Sequence, residues 1–161
     1  MDIRDILLKY GRDILLSKGM QSEKNYIQHG NTTVFAHSVG VAYLSVWLAR
    51  RLSLRLDERA LVRGALLHDY FLYDWHVPDP VHRLHGFRHA RFAQRNADRD
   101  FKLGEVERNI ILRHMFPLNP IPPRYVESIL VCAADKICAV CEMLSYDCTG
   151  GGTRYCCSLH E

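Results

Sequence analysis

Six ionisable side chains of this 161-residue chain lie among apolar neighbours. His37 is in VFAHSVGVA, the adjacent pair His68 and Asp69 in GALLHDY, His89 in RHARFA, His114 in NIILRHMF, and Asp135 in SILVCAADKICAV. An imidazole or carboxylate in apolar surroundings costs free energy unless it is paired or holds a cation. One buried histidine is usually a satisfied core residue. Six such groups, recurring in successive segments, ask for another account. Imidazole nitrogen and carboxylate oxygen together suit divalent transition metals, or a harder cation that faces phosphate. Helix bundles build such centres from inward-facing side chains on several helices.

The elements that must position these groups read as helices nearly throughout. Ile3, Ile6, Leu7, Ile14 and Leu15 share one side of a first amphipathic helix, weakened at Gly11 and ending near Gly19. Residues 20–32 read as a polar loop, with a helix cap at Asn31 or Thr32. A long helix over about 33–52 follows, carrying Val34, Val41, Leu44 and Leu48. Asp57 caps the next, DERALVRGALLHDYFLY, acidic at its start. Residues 74–87, with two Pro and three His, form a surface loop of the kind that carries function. Helices over about 88–98 and 104–115 come next, PLNPIPPR must break the helix, and a last helix runs from about Tyr125 to Leu144. No strand alternation or internal repeat stands out. The expected fold is an all-α, single-domain bundle of about six helices. It divides into an N-terminal helix and loop (1–30), a metal-binding helical domain (31–145) and a flexible tail (146–161).

Composition narrows the class. Hydrophobic residues make up 48% and charged residues 24%, which excludes disordered and fibrous chains. No apolar run reaches the roughly 18 residues of a membrane span. The net charge of +3 is too small, and its arginines too spread, to argue for nucleic acid. Asp2 and Asp5 stand where a secretory signal would be basic and then apolar. A cytoplasmic location with reduced thiols is therefore expected for the six Cys. Cys138-x2-Cys141 and the Cys156, Cys157, His160 cluster match no zinc-finger spacing. Tyr43, Trp47, Phe71, Tyr73 and Trp75 could stack on a nucleobase, although aromatics at helical spacing more often fill a core.

The order His37, His68-Asp69, Asp135 on separate helices resembles the HD-domain metal-dependent phosphohydrolase superfamily, over about residues 31–145. The motifs that carry the resemblance are AHSVGVA, ALLHDYFLYD and ILVCAADKICA. It implies His37, His68, Asp69 and Asp135 as metal ligands, with Asp69 able to bridge two metals. Binuclear members add two histidines, and His89 and His114 resemble these. One or two divalent ions (Mn, Fe, Mg, Zn or Ni) are thus implied, with hydrolysis of a phosphate ester by a metal-activated water and Asp69 orienting it. The partner would be a small phosphorylated, nucleotide-like substrate, monoester or diester. Tyr70, Phe71 and Leu72 follow the pair where many members have Ile-Gly-Lys, and the Gly-Tyr-Pro signature of the cyclic-di-GMP branch is absent.

Charge developing on a phosphoryl group calls for cations, and Lys136, Arg88 and Arg124 are candidates. Lys136 directly follows Asp135, as a basic residue often does in this family. His85 is a candidate substrate contact and a rival to His89 as a ligand, one helical turn away. His76 and His82 could line the substrate entrance. Two other readings remain: a non-catalytic HD-fold sensor that binds a nucleotide or metal, and a helical core with several satisfied histidines. The oligomeric state is open, since the apolar first helix suits either bundle or dimer.

Overall fold

Three of the helices that build the bundle start where a short polar side chain supplies a cap. In the computed structural model, which describes residues 1–77, 80 and 84–144, Asp2 accepts from the Ile3 N–H at 2.6 Å and the Asp5 carboxylate accepts from the Asp2 N–H at 3.2 Å. This reciprocal cap opens α1, Ile3–Leu15. Thr33 accepts from the Ala36 N–H at 3.2 Å to open α3, Val34–Arg51, and Asp57 accepts from the Ala60 N–H at 3.0 Å to open α4, Glu58–Leu67. Between α1 and α3 lie a short α2, Lys18–Ser22, a 3-10 turn, Glu23–Asn25, and a hairpin of β1, Ile27–His29, with β2, Thr32–Thr33. The strands pair antiparallel, Ile27 opposite Thr33 and His29 opposite Thr32. After α4 come α5, His85–Asp100, α6, Glu105–Arg113, and α7, Val126–Met143.

The all-α expectation holds, with seven helices and one minor hairpin among the described residues. Several boundaries differ. α1 stops at Leu15 and not near Gly19, because Ser17 accepts from the Met20 N–H at 3.2 Å and starts a new helix there. The stretch 20–32 is not one loop. It holds the end of α2, the 3-10 turn and most of the hairpin, whose strands are too short to display an alternating pattern. The cap of α3 is Thr33, not Asn31 or Thr32. α4 ends at Leu67, earlier than the apolar run suggests: the Phe71 N–H turns back to the Asp69 carbonyl, and Leu72 takes a positive φ of 61°. α5 begins at His85, not near residue 88. The tail 146–161, with Cys156, Cys157 and His160, and His82 lie outside the described residues.

α3 and α4 form the central pair. α3 also packs on α7, α4 packs on α1 and α6, and α6 meets α5 and α7. Glycines set two of these approaches. A Cβ on Gly11 would overlap the Leu66 side chain, and one on Gly64 would overlap Ile110. Gly11 is thus the place where α1 seats on α4. Arg63, buried on α4, joins three helices. Its guanidinium donates to Asp13 at 2.7 Å and to the Tyr10 carbonyl at 3.1 Å, and its Nε lies 3.5 Å from Glu107. Glu107 in turn accepts from the Gly104 N–H that opens α6. With α3, α6 and α7 locked around α4, the first turn of α3, the end of α4, the end of α6 and the second half of α7 face one another.

Candidate metal centre

Three of the histidines have their tautomer set by their own helices. The Nδ1–H of His68 donates to the Ala65 carbonyl at 2.8 Å, that of His89 to the His85 carbonyl at 2.9 Å, and that of His114 to the Ile111 carbonyl at 2.8 Å. Each ring therefore presents Nε2 inward, with its lone pair available in the neutral form. A backbone carbonyl on the second nitrogen is the usual partner of a metal-ligating imidazole.

The inward atoms form two groups. His37, His68 and Asp135 make one, and Asp69, His89 and His114 the other, all six residues buried. His37 Nε2 lies 3.1 Å from Asp135 Oδ1, and His68 Nε2 lies 3.7 Å from the same oxygen. In the second group, Asp69 Oδ1 is 3.2 Å from His89 Nε2 and 3.4 Å from His114 Nε2. Asp69 also spans the groups: its Oδ2 is 3.5 Å from His68 Nε2 and 3.9 Å from His37 Nε2.

The electrostatics are those of a site organised around positive charge. Burial favours a neutral Asp69, but His68, His114 and His89 outweigh it and hold the carboxyl well below the usual range. Asp135 is likewise lowered against burial, by His37 and His68. Burial acts to strip His37 of its proton, but hydrogen bonds to Asp135 and Glu142 push its pKa up to about 10. His89 is raised against burial by Asp69, whereas burial, with His68 and His89 nearby, lowers His114.

These residues fit divalent cations on three observations. His68 Nε2 and Asp69 Oδ1 are buried without a hydrogen-bond partner among the described residues, which is costly in a site with no cation. His89 Nε2 and His114 Nε2 stand 2.8 Å apart although both Nδ1 atoms are committed to carbonyls. No pair of neutral rings satisfies that contact, so either a proton or a cation must hold the two lone pairs together. The donor set of four imidazoles and two carboxylates suits transition metals.

Two residues that sequence reasoning missed complete the centre. Glu142, two turns beyond Asp135 on α7, places both carboxylate oxygens 3.0 Å from His37 Nδ1. Gln28, on β1, donates its amide to Asp69 Oδ2 at 2.5 Å. Gln28 sits on a strand too short to register as a pattern. Glu142 follows Asp135 by seven residues, two helical turns, and that spacing was a usable signal.

A cavity of about 420 Å³ opens onto the centre, reached by Asp69, His89, His114 and Asp135. Trp75, His85 and the Met115–Leu118 segment wall it, and Lys136 lies at its edge. His85 is one turn from His89, stacked on it and on Trp75, with its Nδ1 2.9 Å from the Tyr73 hydroxyl. The ring grouped with Asp69 and His114 is His89. Lys136 donates to the His114 carbonyl at 2.8 Å and to the Cys132 carbonyl and sulfur at 3.2 Å. Arg88 and Arg124 are not among the residues lining this cavity: Arg88 lies over the Phe92 ring in a neighbouring groove, and Arg124 is exposed beside Glu105. His76 is exposed, its ring tilted by 30° against Trp75 and its Nδ1 3.2 Å from Asp74. No cysteine joins a potential ligand group among the described residues.

A family model described as HD domain matches residues 34–140, a span that starts with α3 and contains all six clustered side chains. No curated protein and no solved structure matches the chain.

Proposed function

The chain belongs to the HD domain family, and on that premise we propose that it is a metal-dependent phosphohydrolase acting on a phosphate ester of a small nucleotide-like substrate. The observation that carries this reading is the Asp69 carboxylate, which faces His89 and His114 with one oxygen and His68 with the other. In this reading His37, His68 and Asp135 would hold one divalent cation and Asp69, His89 and His114 a second. When bound, such cations lower the pKa of a coordinated water and neutralise charge on phosphoryl oxygens.

The remaining chemistry belongs to the protein's own groups. Asp69 stays ionised and so accepts a hydrogen bond from the attacking water, turning its lone pair toward phosphorus. Gln28 limits rotation of that carboxylate by holding Oδ2. Lys136 adds positive charge at the cavity edge, while its hydrogen bonds tie the end of α6 to α7. The Trp75 indole N–H is buried and has no partner among the described residues, and it supplies a donor for a substrate acceptor. With His85 stacked on it, Trp75 forms an aromatic wall suited to a flat base, in a cavity of a size that takes a mononucleotide.

Bound metal is the test. Wild type and Asp69→Ala, purified without chelators, are compared by elemental mass spectrometry, followed by a phosphoester screen with the metal found. The expected result is about two ions per chain in the wild type, lost together with turnover in the variant. A wild type that takes up no Mn, Fe or Zn even after soaking ends the hydrolase reading and leaves the sensor or the plain helical core.

A further inference from the structure

A different face of α5 lines a second cavity, of about 370 Å³. Arg88, Arg91 and Arg95 reach it from α5 and Arg113 from the last turn of α6. Spacings of three and four residues put the three α5 arginines on one face, over about 10 Å of helix axis. Among the described residues, no Asp or Glu lines the cavity. Some arginines elsewhere in the bundle are matched with carboxylates, Arg59 with Glu107, Arg99 with Asp100, Arg108 with Asp98 and Arg124 with Glu105, whereas Arg4, Arg12, Arg50, Arg51 and Arg55 form no such ion pair among the described residues but are not gathered around one cavity. None of the four groove arginines has a carboxylate partner among the described residues. Like charges at these helical spacings repel. An ordinary solvated face would carry mixed charge and no concavity.

We propose that this groove binds a linear oligophosphate, either inorganic or as the phosphate tail of a nucleotide, independently of the metal centre. Guanidinium groups grip phosphate oxygens in pairs, and a row of them along one helix matches a row of phosphates better than it matches one. Half-exposed Phe87 at the rim offers a ring face to a base if the ligand is a nucleotide. The enclosed volume favours a compact ligand over a nucleic-acid strand. Gly86 and Leu118 belong to the wall of the metal-site cavity, and their neighbours Phe87 and Asn119 to this one, so the ligand sits beside the metal site and not in it.

The test is calorimetric titration of sodium tripolyphosphate and of ATP into the full chain in EDTA, which removes metal-dependent binding. Wild type and Asp69→Asn are expected to bind one equivalent alike. Arg91→Ser/Arg95→Ser, altered only at exposed positions and checked for an unchanged melting curve, is expected to bind about tenfold or more weakly. Affinity should fall with added salt. Equal affinity for the two probes identifies the phosphate chain as the ligand. Tighter ATP binding that Phe87→Ala returns to the tripolyphosphate level identifies a nucleotide. The proposal is overturned by no saturable binding, by binding that survives the double substitution, or by binding that Asp69→Asn abolishes. Tighter binding of single-stranded RNA, growing with its length, overturns it too. Because metal is absent throughout, none of these results bears on the hydrolase reading.

Discussion

Glu142 shows how much a single contact adds to this centre. Its carboxylate, against His37 Nδ1, keeps the ring turned with Nε2 toward Asp135 and makes that nitrogen more basic. Glu142→Ala should therefore weaken metal binding by about 10–100-fold while leaving the fold intact. Competition against a fluorescent chelator measures this, and an unchanged affinity would give Glu142 a merely structural role. The same contact predicts a pH dependence. In the metal-free protein His37 keeps its proton up to about 10, held by Asp135 and Glu142 against burial. Its folded pKa lies above the ordinary value near 6.5. Its stabilising contribution is thus complete below pH 6.5 and is lost as pH rises through about 10. A cation taking Nε2 must displace that proton, so metal affinity should rise with pH, with about one proton released from His37 per chain near neutrality. Titrations in two buffers of different ionisation enthalpy count the protons; no release would contradict the assignment. At this scale the sequence was most legible: His37, His68, Asp69, His89, His114 and Asp135 were all conspicuous as polar groups in apolar segments.

Among the elements, α4 determines the most, because it touches α1, α3 and α6 and ends at the His68-Asp69 pair. Arg63 and Glu107 are buried where these helices meet. Arg63→Met leaves Glu107 with only the Gly104 N–H and the exposed Arg59, at 3.3 Å, for compensation. Removing one member of a buried pair typically costs about 3–5 kcal/mol. Urea unfolding should show a loss of that order, and a loss near zero would mean that Glu107 is satisfied without Arg63. Helix existence was legible from apolar periodicity, and the caps at Asp57 and the break at PLNPIPPR from residue type. The hairpin was not, since three- and two-residue strands carry too little pattern, nor was the early end of α4, where its apolar run continues past the last helical turn.

The whole molecule gathers metal-ligating groups from α3, α4, α5, α6 and α7, so a bound cation would cross-link most of the bundle. A ligand that binds only the folded state stabilises it by about 2.7 kcal/mol at a hundredfold excess over Kd. For a domain of this length that corresponds to a rise in Tm of roughly 5–10 °C. Adding a chelator to metal-loaded protein and recording thermal melts should reveal the drop, and readdition should reverse it. Coincident melts with and without chelator would argue that no cation joins these helices.

What the sequence determined by itself was the candidate metal-binding side chains, the helices that carry them and the family they resemble. Those properties are local, written in side-chain type and in spacings of three, four and seven residues. Tertiary packing decided the rest, because it depends on residues far apart in the chain. It grouped His89, rather than His85, with Asp69 and His114, and it set Gln28 against Asp69 and Glu142 against His37, 41 and 105 residues away. It also turned Arg88 out of the metal-site cavity and into a groove with Arg91, Arg95 and Arg113. The direction in which a helix face points is fixed by what packs against its other side, and no residue's own neighbours in sequence record that.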